Sequence, residues 1–144
     1  MRQIRTVALC VFSHEGRILV DQTFDHSSRD FFCRPLGGGV EFGETSRQAI
    51  EREVREELNA EIVDVRLLGI LENIFTCEGD QGHEVVFVYD ARFKENSLYS
   101  QQSLTAYEQD NDTRFTAHWR SLSEIESEGV RLVPEGLANL LSSK

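Results

Sequence analysis

The chain has 144 residues, 40% of them hydrophobic, and its 25 acidic against 15 basic side chains leave a formal net charge of −10 at pH 7. That length suffices for the core of one domain, expected to span residues 1 to 144, without disulfides or a structural metal. The acidic balance argues against long nucleic acid as a partner, because polymer binding draws on basic surface. Three cysteines, Cys10, Cys33 and Cys77, are odd in number and far apart, which speaks against a disulfide framework or a zinc knuckle and suits reduced thiols. The apolar run from Val7 to Phe12 is short for a signal-peptide core and no stretch reaches membrane-spanning length, so a cytoplasmic protein with no membrane partner is expected.

In chain order, Arg5 to Phe12 and Arg17 to Phe24 are β-branched, apolar runs joined by Ser-His-Glu-Gly, the pattern of a β-hairpin. A third piece, Phe31 to Leu36, leads into Gly37, Gly38 and Gly39, which read as a loop. From Ser46 to Leu58 the period becomes helical, with Ala49 or Ile50, Val54 and Leu58 recurring at spacings of four; Thr45 or Ser46 can cap this helix and Asn59 can end it. Glu61 to Thr76 and His83 to Phe93 are strand-like around a polar turn, and the continuous run Val85 to Val88 suits a strand covered on both faces. Residues 94 to 113 are polar and weakly patterned and read as a long loop or an irregular excursion. Arg114 to Leu122 resembles a last strand, and the segment from Pro134 predicts a closing helix with Leu137, Leu140 and Leu141 on one face. Strands interleaved with two helices predict an α/β (α+β) fold, a mixed sheet with helices packed against it.

Glu53, Glu56 and Glu57 stand at i, i+3 and i+4, within about one third of the helix circumference and beside the stripe of Ile50, Val54 and Leu58. Like charges at that spacing oppose each other by a few tenths of a kcal/mol, roughly, per pair in water. A hard divalent cation, Mg²⁺ or Mn²⁺, would compensate them while keeping room for phosphate oxygens. The plainer reading is a solvated surface paired with Arg47, Arg52 and Arg55. The glycines before the helix tilt the balance, because they let backbone approach a ligand closely and lead into a helix N-terminal region that favours anions. Backbone that tolerates anions next to side chains that hold cations suits a metal-bound pyrophosphate.

The segment Gly38 to Ala60 resembles the signature of the Nudix hydrolase family, of MutT-like type: G-x5-E-x7-R-E-U-x-E-E-x-G-U, with U a bulky aliphatic residue. Gly38, Glu44, Arg52, Glu53, Val54, Glu56 and Glu57 match, whereas Asn59 stands for the glycine and Ala60 for the last aliphatic. The resemblance implies an α/β/α sandwich that hydrolyses a nucleoside diphosphate linked to another moiety, with water attacking the pyrophosphate. It implies Glu53, Glu56 and Glu57 as ligands of Mg²⁺, for which Mn²⁺ can substitute, with a carbonyl near Gly38 assisting. Arg52 is then the residue that orients the carboxylates and Glu44 its structural partner. Gly38, Gly39 and Arg34 are candidate phosphate contacts, and Glu84, at the head of a strand, is the preferred general base outside the signature, with His83 as an alternative. Trp119, Phe75 and Tyr99 are candidates for stacking on a base. A small phosphorylated nucleotide is the expected partner, and the protein a monomer or homodimer. Nucleotide sugars, dinucleoside polyphosphates and non-catalytic nucleotide sensing are the alternatives to nucleoside triphosphate hydrolysis; the intact glutamates speak against the last.

Overall fold

A computed structural model of the protein describes residues 2–109 and 111–142. In order the elements are β1 (Arg5–Val11), β2 (Ser13–His14), β3 (Arg17–Asp25), β4 (Asp30–Gly39), α1 (Ser46–Leu58), β5 (Ile62–Cys77), β6 (Asp80–Phe93), a 3-10 turn (Asn96–Ser100), β7 (Ser103–Glu108), β8 (Thr113–Arg120), α2 (Leu122–Ser127), β9 (Arg131–Leu132) and α3 (Leu137–Ser142). The strands form one mixed sheet in the order β5-β6-β1-β4-β3-β8-β7, with β2 on β3 and β9 on β4. The β1–β6 and β4–β9 pairs are parallel and the others antiparallel.

Strand β1 shows why helices lie on both faces. Every residue from Val7 to Val11 is buried, and alternate side chains point to opposite faces of a sheet. Ala8 and Cys10 join Ala49, Ile50 and Val54 of α1 in one apolar cluster. Val7, Leu9 and Val11 join Ile125 of α2 and Leu137 of α3 in the other. The expected α/β/α layering follows. β6 is likewise covered on both faces, with Val86 and Val88 in one cluster and Tyr89, Ala91 and Phe93 in the other.

Four expectations need correction. The hairpin between the first two apolar runs is confined to β2 and β3, where Ser13 faces Ile18 and His14 faces Arg17. β4 lies between β1 and β3 instead, because a run buried on both faces belongs inside a sheet with a partner on each edge. Next, Gly37 to Gly39 are not a loop: they finish β4 opposite Leu9, Ala8 and Val7, and the loop proper is 40–45. Residues 94 to 113 are not one long loop either, since they hold the 3-10 turn and β7, an edge strand paired to β8 from Ser103 opposite His118 to Glu108 opposite Thr113. Last, there are three α-helices among the described residues rather than two, because α2 falls in residues to which the sequence reading assigned no element.

Helix α1 has the expected bounds. Thr45 Oγ1 accepts from the Gln48 N–H at 3.1 Å while Gln48 Oε1 accepts from the Thr45 N–H at 2.9 Å, a reciprocal cap. Asn59, at φ 52° and ψ 42°, closes the helix in the left-handed conformation.

Candidate active site

The steric demands on two of the β4 glycines come from segments far off in sequence. A Cβ on Gly37, whose φ is 151°, would fall 2.0 Å from the Ala8 carbonyl oxygen, and one on Gly38 would fall 2.5 to 2.7 Å from the Glu53 carboxylate. The bare backbone of Gly38 thus leaves the space in which the Glu53 carboxylate sits.

Arg52 organises one side of the helix. Its Nε and Nη2 donate to the two oxygens of Glu44 at 2.8 and 3.0 Å, and Nη2 also donates to the Gly39 carbonyl at 3.0 Å. Its Nη1 donates to Glu53 Oε1 at 3.0 Å and to Glu56 Oε1 at 3.1 Å. One guanidinium fork therefore ties helix, loop and strand end together, a use to which Arg is suited and Lys is not. The Arg52 hydrogen bonds, helped by the Glu41 backbone, hold the Glu44 carboxyl below its ordinary pKa.

Glu57 sits in the opposite electrostatic situation. It is 6% exposed, and its Oε1 has no hydrogen-bond partner. Burial pushes its pKa up to about 9, with the charges of Glu53 and Glu108 adding to the effect. Glu53 is raised too, because burial outweighs its contact with Arg52. Glu108, at the end of β7, is the site residue that sequence reading missed. It lies in the segment read as a loop, and only its pairing with β8 brings it against the helix.

Glu53, Glu56, Glu57 and Arg52 line a cleft of about 550 Å³ together with Tyr107 and Glu108. A smaller depression of about 240 Å³ shares Glu57 and Glu108 with it and is lined further by Asp21, Arg34 and Gly37. Asp21 and Arg34 in turn border a cavity of about 300 Å³ whose walls include Phe32, Asn73, Phe75 and Glu84. Strand pairing sets Asp21 opposite Arg34, and the Arg34 charge works to lower the pKa values of both Asp21 and Glu57 against their burial. The three hollows form a chain running from an aromatic chamber, past a guanidinium, to the carboxylates.

The expected site residues thus fall into two groups. Glu53, Glu56, Glu57, Arg52 and Gly39 line the carboxylate cleft, with Gly38 against Glu53 and Arg34 in the adjoining depression. Glu84 lies apart from that cleft, in the aromatic cavity, with Oε2 3.5 Å from Arg5 Nη1. His83 borders a surface groove with Arg2 and Arg5 that shares Phe75 and Glu84 with the aromatic cavity. Phe75 faces the aromatic cavity, whereas Trp119 and Tyr99 pack on each other at 5.7 Å within the core cluster on the α1 side.

Among the described residues no three His, Cys, Asp or Glu side chains converge as a ready-made metal cage; Arg52 is wedged among three of the glutamates instead. The donor set nevertheless fits a hard cation. Glu57 presents an unpartnered buried oxygen, its neighbours Glu53 and Glu108 are carboxyl groups too, and every donor is oxygen.

Residues 1–136 match the family model of the NUDIX domain, and the chain belongs to that family. Membership makes it a hydrolase of phosphoanhydride bonds in small nucleotide-type substrates, and such hydrolases generally need a divalent metal. Solved structures of similar fold include a NUDIX hydrolase from Nitrosomonas europaea, 17% identical with a TM-score of 0.66 over 97% of this chain and 87% of that one. A MutT NUDIX hydrolase from Burkholderia pseudomallei is 23% identical, with a TM-score of 0.60 over 85% and 86% of the two chains. The ORF135 protein of E. coli is also 23% identical, with a TM-score of 0.59 over 96% and 87%. At these identities the likeness speaks for the fold alone. No curated protein shows a significant match.

Proposed function

We propose that this protein is a Mg²⁺-dependent pyrophosphohydrolase of nucleoside triphosphates or closely related nucleotides, a single cytoplasmic domain in which Glu53, Glu56 and Glu57 hold the cation and Mn²⁺ can replace Mg²⁺. The observation that carries this reading is the orphaned, buried Glu57 carboxyl beside Glu53 and Glu108. A buried acid with no partner is costly unless it stays protonated or meets a cation, and in a phosphoanhydride hydrolase the second use is the productive one. A divalent ion in the cleft supplies positive charge for phosphate oxygens and makes water more acidic.

The chain's own groups do the rest. Arg52 keeps Glu53 and Glu56 turned toward the cleft, and Glu44, gripped through both oxygens, keeps Arg52 from swinging away. Glu57 releases its proton as the cation enters. The Arg34 guanidinium makes no hydrogen bond among the described residues; it lies between the aromatic cavity and Glu57 and takes the phosphates that join the two. Glu108, across the cleft from the helix, accepts the proton of the attacking water, the role for which Glu84 was the sequence-based candidate. Free thiols at Cys10, Cys33 and Cys77 suit a reducing compartment. Among the described residues no helix is long and apolar enough to cross a membrane.

The test is a panel of nucleoside triphosphates, nucleotide sugars and dinucleoside polyphosphates assayed for released phosphate and pyrophosphate with Mg²⁺, with Mn²⁺ and with a chelator. Cleavage of triphosphates that stops on chelation is expected. Failure to cleave any phosphoanhydride with either ion overturns the reading.

A further inference from the structure

The third glycine of β4 makes room for a different group from its two neighbours. A Cβ on Gly39 would fall 3.0 Å from Arg5 Nη2, inside ordinary van der Waals contact, so the bare strand end lets the Arg5 guanidinium lie against it. Gly38 and Gly39 look to opposite sides of the strand, and one backs the Glu53 carboxylate while the other backs a cation. Arg5 also lines the carboxylate cleft, where Arg52 is the other basic side chain. The two differ in what they have left to offer. Arg52 commits Nε, Nη1 and Nη2 to Glu44, Glu53, Glu56 and the Gly39 carbonyl. Arg5 has a single ion-pair contact among the described residues, Nη1 to Glu84 Oε2 at 3.5 Å, and its side chain is 58% exposed. A guanidinium carries five N–H donors in a fixed fork. Most of those on Arg5 are open to an incoming acceptor.

The surroundings describe that acceptor. The cleft shares Gln3 and Arg5 with the surface groove, so Arg5 stands where the two hollows meet. The groove carries two further basic side chains, Arg2 and His83, with Asp80 and Glu84 as its acids. Arg34 borders the depression that shares Glu57 with the cleft and does not line the cleft itself. If Arg34 takes the phosphates nearest the aromatic cavity, Arg5 is left the far end of the chain, where cleft gives way to groove. A guanidinium fork matches phosphate oxygens in bidentate fashion. A terminal phosphate presents three unbridged oxygens and the extra charge that goes with them, whereas a phosphate esterified to a sugar presents fewer. A nucleoside triphosphate also carries more negative charge than a single divalent ion cancels, and a free guanidinium at the cleft's edge meets the remainder.

We propose that Arg5 grips the terminal phosphate of a nucleoside triphosphate and so distinguishes triphosphates from nucleoside diphosphates capped by a neutral group. The proposal rests on the hydrolase reading for its choice of a nucleotide as ligand. No bond is made or broken at Arg5, so its effect falls on KM rather than on kcat. Gly39 is then kept bare for a substrate-binding side chain, as Gly38 is for Glu53.

The experiment is calorimetric binding of inorganic pyrophosphate with Mg²⁺ to the full chain in wild type, R5M and R5K. Beside it stand kcat and KM for the triphosphates and the inhibition constant of a nucleoside diphosphate sugar against them. R5M is expected to weaken pyrophosphate binding and raise KM for triphosphates by about ten- to a hundredfold, the worth of a hydrogen bond to a charged group. Its kcat and the inhibition constant of the sugar should change little, and R5K should recover part of the loss as a point charge. R5Q serves if thermal melting shows that R5M does not fold. Pyrophosphate that fails to bind wild type, or binds R5M equally well, overturns the proposal. So does an equal loss for triphosphate and nucleotide sugar, and so does a fall in kcat at unchanged KM. Pyrophosphate binding that depends on Arg5 in a protein that cleaves no phosphoanhydride sinks the hydrolase reading alone; cleavage that R5M leaves untouched sinks this proposal alone.

Discussion

The Arg52 side and the Glu57 side of helix α1 belong to the same two turns yet are electrostatic opposites. On the first, Glu44 is held on both oxygens by one guanidinium, and its pKa is lowered. On the second, Glu57 is almost as inaccessible as an apolar core residue, has an oxygen with no partner, and has its pKa pushed up to about 9. The fold solves charge crowding internally around Arg52 and leaves it unsolved at Glu57, where the proposed function puts the cation. Crowded acids are therefore not in themselves a metal site. What the proposed reading rests on is the acid that the protein leaves without a partner.

Removing the unsatisfied acid should have the largest effect. E57Q is expected to reduce turnover at saturating Mg²⁺ by at least about a hundredfold, at or above the usual range for damage to a metal's supporting shell, with the fold retained on thermal melting. The same variant sharpens the pH behaviour of the metal-free protein. Relative to an ordinary value of 4.5, a folded-state pKa of about 9 means that the native protein binds the extra proton. The stability from this group is complete below about pH 4.5 and is lost as pH rises through about 9. Denaturant titrations should show that loss in wild type and its absence in E57Q.

Breaking the satisfied side should act on stability first. R52M strands Glu44, Glu53 and Glu56 together, and the cost expected from urea unfolding is about 3 kcal/mol, as for other partly buried pairs that lose one member. R52K should recover little, because an ammonium cannot match the fork. A smaller effect is expected from G38A, whose Cβ would collide with the Glu53 carboxylate. Turnover should fall about tenfold through misplacement of that ligand, seen in kcat at saturating Mg²⁺. Smallest of all, T45A removes the helix cap and should cost about 1 kcal/mol, with kcat nearly unchanged because Thr45 does not line the cleft.

The helix side of this comparison was legible in the sequence, and the sheet side was not. Thr45, Asn59 and the spacing of Ile50, Val54 and Leu58 are local signals, so the bounds of α1 and the grouping of its glutamates followed from residues within a few positions of each other. The partnership of Arg52 with Glu44 was carried by the family resemblance. β7 escaped because its inward set is only Leu104 and Ala106, too brief an alternation to stand out among polar neighbours, and Glu108 escaped with it. The β1-β4-β3 order was hidden because adjacent runs look like a hairpin until burial on both faces of β1 is known. Gly37 and Gly38 looked like loop residues because the atoms that require them, the Ala8 carbonyl and the Glu53 carboxylate, come from other elements. The isolation of Glu57 is likewise a tertiary fact, since i, i+3, i+4 spacing does not reveal which of three acids an arginine will leave unserved.

The most direct measurement is calorimetric titration of Mg²⁺ into the protein at pH 7 in buffers of different ionisation enthalpy. If Glu57 exchanges its proton for the cation, wild type should take up Mg²⁺ with release of a proton, and E57Q should lose both most of the affinity and the proton release. Uptake that is the same in the two proteins, or uptake without proton release in wild type, would contradict the account.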